Sequence, residues 1–262
     1  MDCPSSTPCS VLTSAPHLST LIGMESLCEA VSTAVAHVRH IVARSAAGSG
    51  RRAEDVALMA VVKTRTPGEI HSVLSAGVQL LGENKVQEGL AHMEALEAGA
   101  RRECQVHFIG RLQSNKAKKA VRAFDSLDGV DSMHLAELLS RLAEEAGITR
   151  EIMLEVNLGE ESQKGGVAPE DTGALAEAVC RLPGLRLTGL MGVCPYASDP
   201  EASRSFYRRL NRLFQGVRIG HPHPDDFRWL SMGMSHDYHV AVEEGATLIR
   251  VGQALFGPRR PA

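Results

Sequence analysis

The chain has 262 residues, 44% of them hydrophobic, which is enough for a globular protein of one large domain or two small ones. Its formal net charge of -3 comes from 28 basic and 31 acidic residues mixed along the sequence, so bulk charge gives no reason for binding nucleic acid or an anionic membrane. The six cysteines form no C-x-x-C pair or zinc-site spacing, and the sequence lacks both a secretory signal pattern and an uncharged apolar stretch of about 18 residues. We therefore expect a cytoplasmic protein with reduced thiols and no metal site.

The N-terminal part of the sequence differs in composition from the rest. Residues 1–20 are rich in Ser, Thr and Pro, and we expect them to form a disordered leader. A helix is predicted over about residues 25–45, before the first strand. No segment within residues 56–257 is long or polar enough to be a linker, so residues 21–262 are predicted to form a single domain.

Eight short apolar runs alternate with helical patterns along the rest of the chain. Residues 56–62 are apolar at consecutive positions, and so are residues 187–191 except for Thr188, as in parallel strands buried on both faces. The pattern predicts a single (β/α)8 TIM-type barrel with an extra N-terminal helix that completes the outer ring; an open, doubly wound sheet is the competing architecture. The predicted strands end near Lys63, Glu83, Gly110, Val130, Asn157, Gly192, Ser231 and Val251.

Lys63 stands at the end of the first apolar run, directly before a polar turn. In a β/α barrel the active site lies at the carboxyl ends of the strands, so this lysine is expected at the mouth of a pocket. Desolvation disfavours the charged form of a lysine, and its neutral amine can condense with an aldehyde as a Schiff base. A solvated lysine that only ends a strand is the alternative.

The loops after the seventh and eighth strands form the second candidate feature. The seventh run ends in Ser231, and the eighth ends in Arg250, followed by Val251, Gly252 and Gln253. These loops are the usual place for a phosphate in a β/α barrel, because they offer hydroxyls, backbone amides and here an arginine. A phosphorylated aldehyde would suit both this corner and Lys63.

Several polar residues near the strand ends also have structural interpretations. Gly233 and Gly252 fit tight turns, Arg250 fits a surface ion pair, and we favour Ser235 as a cap of the following helix over a ligand contact. Asn84 fits either a helix cap or a contact with a ligand ring. We interpret His236 and His239 as solvated helix histidines rather than a metal site. A basic cluster is interpreted as a solvated helix face rather than a polyanion site; it consists of Lys116, Lys118, Lys119 and Arg122.

Five segments in order along the chain carry a recognisable pattern: Lys63-Thr64-Arg65, residues 82–88, residues 107–110 with 112–116, residues 231–235 and Arg250-Val251-Gly252. Together they resemble the pyridoxal phosphate homeostasis protein family (YggS/PROSC), and the resemblance runs from about residue 25 to Gly257. The family is related to the N-terminal barrel of alanine racemase and binds pyridoxal 5'-phosphate (PLP) without the second domain of that enzyme.

The resemblance implies a set of cofactor-binding residues. It implies a Schiff base between PLP and Lys63, with Asn84 near the cofactor. The phosphate is then held by Ser231, Arg250 and the backbone of Gly252 and Gln253.

Three positions bear on how far the family pattern transfers. Gln253 stands where the family commonly has Thr or Ser, so a hydroxyl contact to phosphate is lost while the amide remains. Arg65 replaces a frequent second lysine and cannot form an imine. Lys164, in a Gln-Lys-Gly-Gly loop, is a candidate second, transient carrier of the cofactor.

The function implied by the resemblance is that of a non-catalytic PLP carrier in cofactor homeostasis, which releases PLP to apo-enzymes through brief contacts. We expect a monomer that binds neither nucleic acid nor a membrane. A PLP-dependent amino-acid racemase is the alternative, but it needs proton donors on both faces of the α-carbon, and Tyr196, Tyr207 and Tyr238 lie in no motif that matches that role. A third interpretation is a barrel that binds another phosphate ligand, with Lys63 as a counter-charge.

Overall fold

Eight parallel strands close into a barrel, each pairing with its neighbour in chain order and the last with the first. The computed structural model describes residues 18–159, 165–195 and 197–258. The strands β1 to β8 are, in chain order, Ala57–Val61, Leu80–Glu83, Gln105–Phe108, Ser126–Val130, Arg150–Val156, Leu185–Gly192, Trp229–Ser231 and Leu248–Val251.

Helices alternate with these strands and form the outer layer. The α-helices α1 to α10 are, in chain order, Leu18–Gly48, Pro67–Ser75, Val86–Ala95, Ala98–Glu103, Ser114–Ala123, Met133–Ala146, Thr172–Val179, Arg204–Gly220, Tyr238–Glu243 and Gln253–Phe256. No helix among the described residues is long and apolar enough to cross a membrane.

The predicted TIM-type barrel is confirmed. Strands β2, β4, β6, β7 and β8 end at the predicted residues, and the other three end one or two residues earlier. Pairing of Ala57 with Leu248 and of Ala60 with Val251 joins β1 to β8, which excludes the open doubly wound sheet.

Helix α1 is longer than predicted and packs against α2, α9 and α10. It fills the place in the outer ring beside the four-residue α10, as the sequence predicted. Its start at Leu18 places three residues of the predicted leader, residues 18–20, in a helix. Pro16 is the last proline before this point, and proline is tolerated only in the first turn of a helix. The rest of the leader lies outside the described residues.

Local sequence signals fix several of the turns between helices and strands. Thr66 and Glu69 form a reciprocal capping box at the start of α2, directly after the Lys63 turn. Ser132 caps α6, its hydroxyl accepting from the Leu135 amide at 3.4 Å. Helix α6 ends at Gly147, whose φ of 66° suits a left-handed terminus.

The barrel interior changes from apolar to polar along the strands. Met59, Met153 and Leu248 are fully buried and form a cluster separate from the layer between strands and helices. Nearer the carboxyl ends, the interior carries Ser231 and Arg250, which are also buried. The polar end is therefore where the barrel can bind a ligand.

Candidate functional site

Lys63 lies two residues beyond the last residue of β1 and is half-buried. It lines a cavity of 290 Å³ at the carboxyl ends of β1, β7 and β8, here named the lysine cavity. Of the six predicted site residues, Lys63, Arg250, Gly252 and Gln253 line this cavity, whereas Ser231 and Asn84 are not among its lining residues. Its lining is Val61, Lys63, Arg65, Met234, Ser235, His236, Arg250, Gly252 and Gln253.

Arg250 supplies a fixed positive charge to the lysine cavity. Only 4% of the residue is exposed, so the surface ion-pair interpretation is wrong. Its Nη1 donates to Ser231 Oγ at 2.6 Å, and its Nη2 donates to the carbonyl oxygen of Gly192 at 2.9 Å. Burial lowers the pKa of Arg250, but an arginine keeps its charge in proteins.

Ser231 is fully buried beneath the lysine cavity. Its hydroxyl accepts from Arg250, so in this arrangement it orients the guanidinium. A direct contact between Ser231 and a phosphate stays a prediction.

Ser235 is a site residue that the sequence interpretation missed. Helix α9 begins only at Tyr238, so Ser235 does not cap it as expected. Instead, Ser235 Oγ accepts from the amides of Gly252 and Ala254, both at 3.2 Å, across the cavity corner at the start of α10. An oxygen atom is therefore already held where the sequence predicted phosphate oxygens.

The loop that carries Ser235 is held in place by Asp237. Its Oδ1 accepts from the Met234 amide at 2.8 Å, and its Oδ2 accepts from the Tyr207 hydroxyl at 2.7 Å. Gly233 has a φ of 91°, and a Cβ there would lie 2.5 Å from that of Ala241, which agrees with the tight-turn interpretation. The fixed backbone sets the position of the Ser235 hydroxyl.

Two acidic residues on strands that do not pair with β8, Asp128 on β4 and Glu155 on β5, act electrostatically on Arg250. Asp128 accepts from Ser126 Oγ at 2.6 Å, and its other oxygen lies 2.9 Å from Nδ1 of His107 inside the barrel. Burial raises the pKa of Glu155 on β5, and the charge of Arg250 opposes that shift. The sequence interpretation did not name Asp128 or Glu155, because only barrel closure brings them near β8.

Asn84 lines a second, larger cavity of 610 Å³ between the starts of α3 and α5. The helix cap of α3 is Lys85, so Asn84 is not that cap. Its Oδ1 is buried without a hydrogen-bond partner among the described residues, and the contact with a cofactor ring stays a prediction. This basic cavity is lined by Asn84, Lys85, Val86, Gln87, Phe108, Arg111, Leu112, Gln113, Ser114 and Lys116.

The remaining candidates from the sequence are His236 and His239, Lys164 and Tyr196. His236 lines the lysine cavity, with Nε2 lying 3.1 Å from the carbonyl oxygen of Ser198, but it precedes α9, and His239 lines a different surface cavity. Within the described ranges, no group of three or more His, Cys, Asp and Glu residues is placed to hold a metal. Lys164 and Tyr196 lie outside the described residues.

Comparison with known proteins assigns the family. The model of the alanine racemase N-terminal domain matches residues 36–260. The pyridoxal phosphate homeostasis protein of Aquifex aeolicus is 36% identical over 237 residues, covering 89% of this chain and 98% of that protein. The chain belongs to the pyridoxal phosphate homeostasis protein family. The Escherichia coli K12 family member is 34% identical over 227 residues, covering 86% of this chain and 95% of its own.

Solved structures of family members share the whole barrel. PipY of Synechococcus elongatus with PLP bound is 33% identical, with a TM-score of 0.73, and the match covers 87% of this chain and 100% of PipY. Alanine racemase from Corynebacterium glutamicum is 15% identical, with a TM-score of 0.66, over 88% of this chain and 62% of the racemase. The latter likeness shows the barrel fold alone.

Proposed function

We propose that this protein binds PLP reversibly in the lysine cavity, as a Schiff base on Lys63, and releases it to apo-enzymes. The observation that carries the proposal is the convergence of Lys63, buried Arg250 and the Gly252-Gln253 turn on one cavity of 290 Å³. That volume lies just below the usual range for ligand pockets, about 300–1,000 Å³, which suits a small cofactor. The names of the relatives and the PLP in PipY support the same cofactor.

Each residue of the lysine cavity has a role in this proposal. Lys63 would hold the cofactor through its amine, whose unprotonated form can condense with an aldehyde to form a C=N bond with release of water. The Gln253 amide and the Ser235 hydroxyl donate to the phosphate, the Gly252 amide holds that hydroxyl in place, and Arg250 adds positive charge near the phosphate. PLP would supply the aldehyde for reversible attachment, and Asn84 is proposed to lie near its ring.

A carrier fits the described residues better than a racemase. Tyr207 is buried, and its hydroxyl donates a hydrogen bond to Asp237. Neither Tyr207 nor Tyr238 lines the lysine cavity. A racemase needs a group that moves a proton on each face of the substrate carbon. We propose a non-catalytic, monomeric and cytoplasmic carrier, with only brief contacts to the apo-enzymes that accept the cofactor.

Transfer of the cofactor tests this function. The protein is loaded with PLP, cleared of unbound PLP and mixed with an apo-aminotransferase, whose regained activity is followed over time. We expect stoichiometric activation of the aminotransferase and no interconversion of L- and D-alanine by the loaded protein alone. Sustained amino-acid turnover that Lys63→Ala abolishes would support the racemase instead, and retention of PLP in the presence of excess apo-enzyme would contradict a carrier.

A further inference from the structure

Thr64, the residue next to Lys63, has an unusual backbone conformation. Its φ is 62°, and it is the only residue other than glycine with a positive φ in the described part of the chain. Left-handed backbone brings the Cβ of an L-residue too close to the following carbonyl oxygen, so it needs support from the surroundings. The turn that presents Lys63 is therefore held by other contacts.

Glu88 makes the contact that fits this conformation. It lies in the first turn of α3, where a carboxylate is favoured by the helix dipole. Its Oε1 accepts a hydrogen bond from the backbone amide of Thr64. A charged acceptor gives a stronger hydrogen bond than a neutral one, so Glu88 can offset the strain at Thr64.

The chain after Thr64 is held from two other directions. Arg65 is buried, and its Nη2 donates to the carbonyl oxygen of Gly257 at 3.1 Å, while its guanidinium lies 5.0 Å from the Phe256 ring centroid. The backbone amide of Arg65 donates to the carbonyl oxygen of Val62 at 3.1 Å, which closes the turn around Lys63 and Thr64. With Arg65 fixed and β1 fixed in the barrel, the direction of Lys63 depends on the conformation of Thr64.

We propose that Glu88 is a positioning residue, which holds Thr64 in the left-handed conformation and thereby aims the Lys63 amine into the lysine cavity. The inference rests on the proposed attachment of PLP to Lys63 and adds a residue that does not line the cavity. Without the carboxylate, Thr64 relaxes to a negative φ and turns the Lys63 side chain away from the cofactor. Phosphate and ring contacts stay intact, because they lie on other loops.

A rescue experiment separates this positioning role from a general loss of structure. PLP is titrated against the visible absorbance band of the bound cofactor in the wild type, Glu88→Ala, Thr64→Gly and the double variant. Because the supporting contact offsets strain of about 1–2 kcal/mol, we expect Glu88→Ala to weaken formation of the band by roughly five- to thirtyfold. Thr64→Gly in the Glu88→Ala background restores most of it, since glycine adopts a positive φ without strain.

Two further variants and a second ligand complete the test. Glu88→Gln keeps an acceptor oxygen, so it should weaken formation of the visible band less than Glu88→Ala does. Glu94→Ala changes an exposed residue of the same helix and should leave formation of the band unchanged. Pyridoxamine 5'-phosphate carries no aldehyde, so its affinity stays within about twofold in all of these proteins. If the losses of Glu88→Ala persist in full in the double variant, Glu88 does not act through the Thr64 backbone and the inference is wrong.

Hydrogen exchange of the Thr64 amide tests the same contact without any cofactor. The amide is expected to be protected in the wild type and to exchange at least tenfold faster in Glu88→Ala. A wild type that forms no visible band but shows this difference would contradict the proposed function and leave the Glu88 contact standing. Equal exchange in both proteins would overturn the positioning role even if PLP binds.

Discussion

The lysine cavity and the basic cavity open at the carboxyl-terminal face of one barrel, yet they differ in how their polar groups are held. The basic cavity is the larger, 610 Å³ against 290 Å³, but its Lys85 and Arg111 are exposed. In the lysine cavity, Arg250 is buried with two hydrogen bonds, and Ser235 joins two backbone amides. Polar groups that are already held by hydrogen bonds lose little conformational entropy when a ligand binds. The proposed cofactor site is therefore distinguished by its fixed polar groups and not by a larger volume or more positive charge.

The largest loss of PLP affinity is expected from Arg250→Gln, a change in the lysine cavity. Loss of a hydrogen bond to a charged group costs about 1.5–3 kcal/mol, so the dissociation constant for PLP should rise roughly ten- to hundredfold. The dissociation constant for pyridoxal, which lacks the phosphate, should rise less. Equal losses for the two ligands would show that Arg250 does not serve the phosphate. Thermal unfolding of the variant controls for the lost bonds to Ser231 and Gly192.

A smaller effect is expected from Ser235→Ala. The Ser235 oxygen accepts from two amides, so its own proton is available to the phosphate. Removing one neutral hydrogen bond costs about 0.5–1.5 kcal/mol, which corresponds to a two- to tenfold weaker affinity for PLP by calorimetry. Ser235→Thr keeps the hydroxyl and should bind nearly as the wild type does. Unchanged affinity in Ser235→Ala would return this residue to a purely structural role.

The smallest effect is expected in the basic cavity. Exposed Lys85 and half-buried Lys116 do not line the lysine cavity, and charges that act on a ligand only through solvent are screened by salt. Lys85→Gln combined with Lys116→Gln should therefore change the PLP affinity by less than about twofold at 0.15 M salt. Lys119→Gln, exposed on the same helix α5 but outside the cavity lining, is the matched control. A tenfold loss of PLP affinity in the double variant, but not in Lys119→Gln, would show that the basic cavity also takes part in binding PLP.

The sequence predicted the barrel and the meeting of Lys63, Arg250, Gly252 and Gln253 at one end of it for one physical reason. Buried parallel strands read as apolar runs, and their carboxyl ends meet at one face, so Lys63 and Arg250 had to lie near each other once the barrel was recognised. The N-terminal helix in the outer ring followed from the lack of a long helix after the eighth strand.

The remaining features depend on contacts between segments far apart in the chain. Ser235 accepts from amides 17 and 19 residues away, and Glu88 accepts from an amide 24 residues away. No local pattern encodes such pairs, because the direction of a side chain across two loops is set only when the barrel closes. For the same reason, the sequence could not tell that Asn84 faces a different cavity from Lys63.

Attachment of PLP to Lys63 is tested most directly by reduction with borohydride. The purified protein is mixed with PLP, its visible spectrum is recorded, and the reduced protein is digested and analysed by mass spectrometry, with Lys63→Ala treated alongside. We predict a visible band that reduction removes, and a pyridoxyl phosphate group on the peptide that contains Lys63. No band in the wild type, or a band that persists in Lys63→Ala with the label on another residue such as Lys164, would contradict the account.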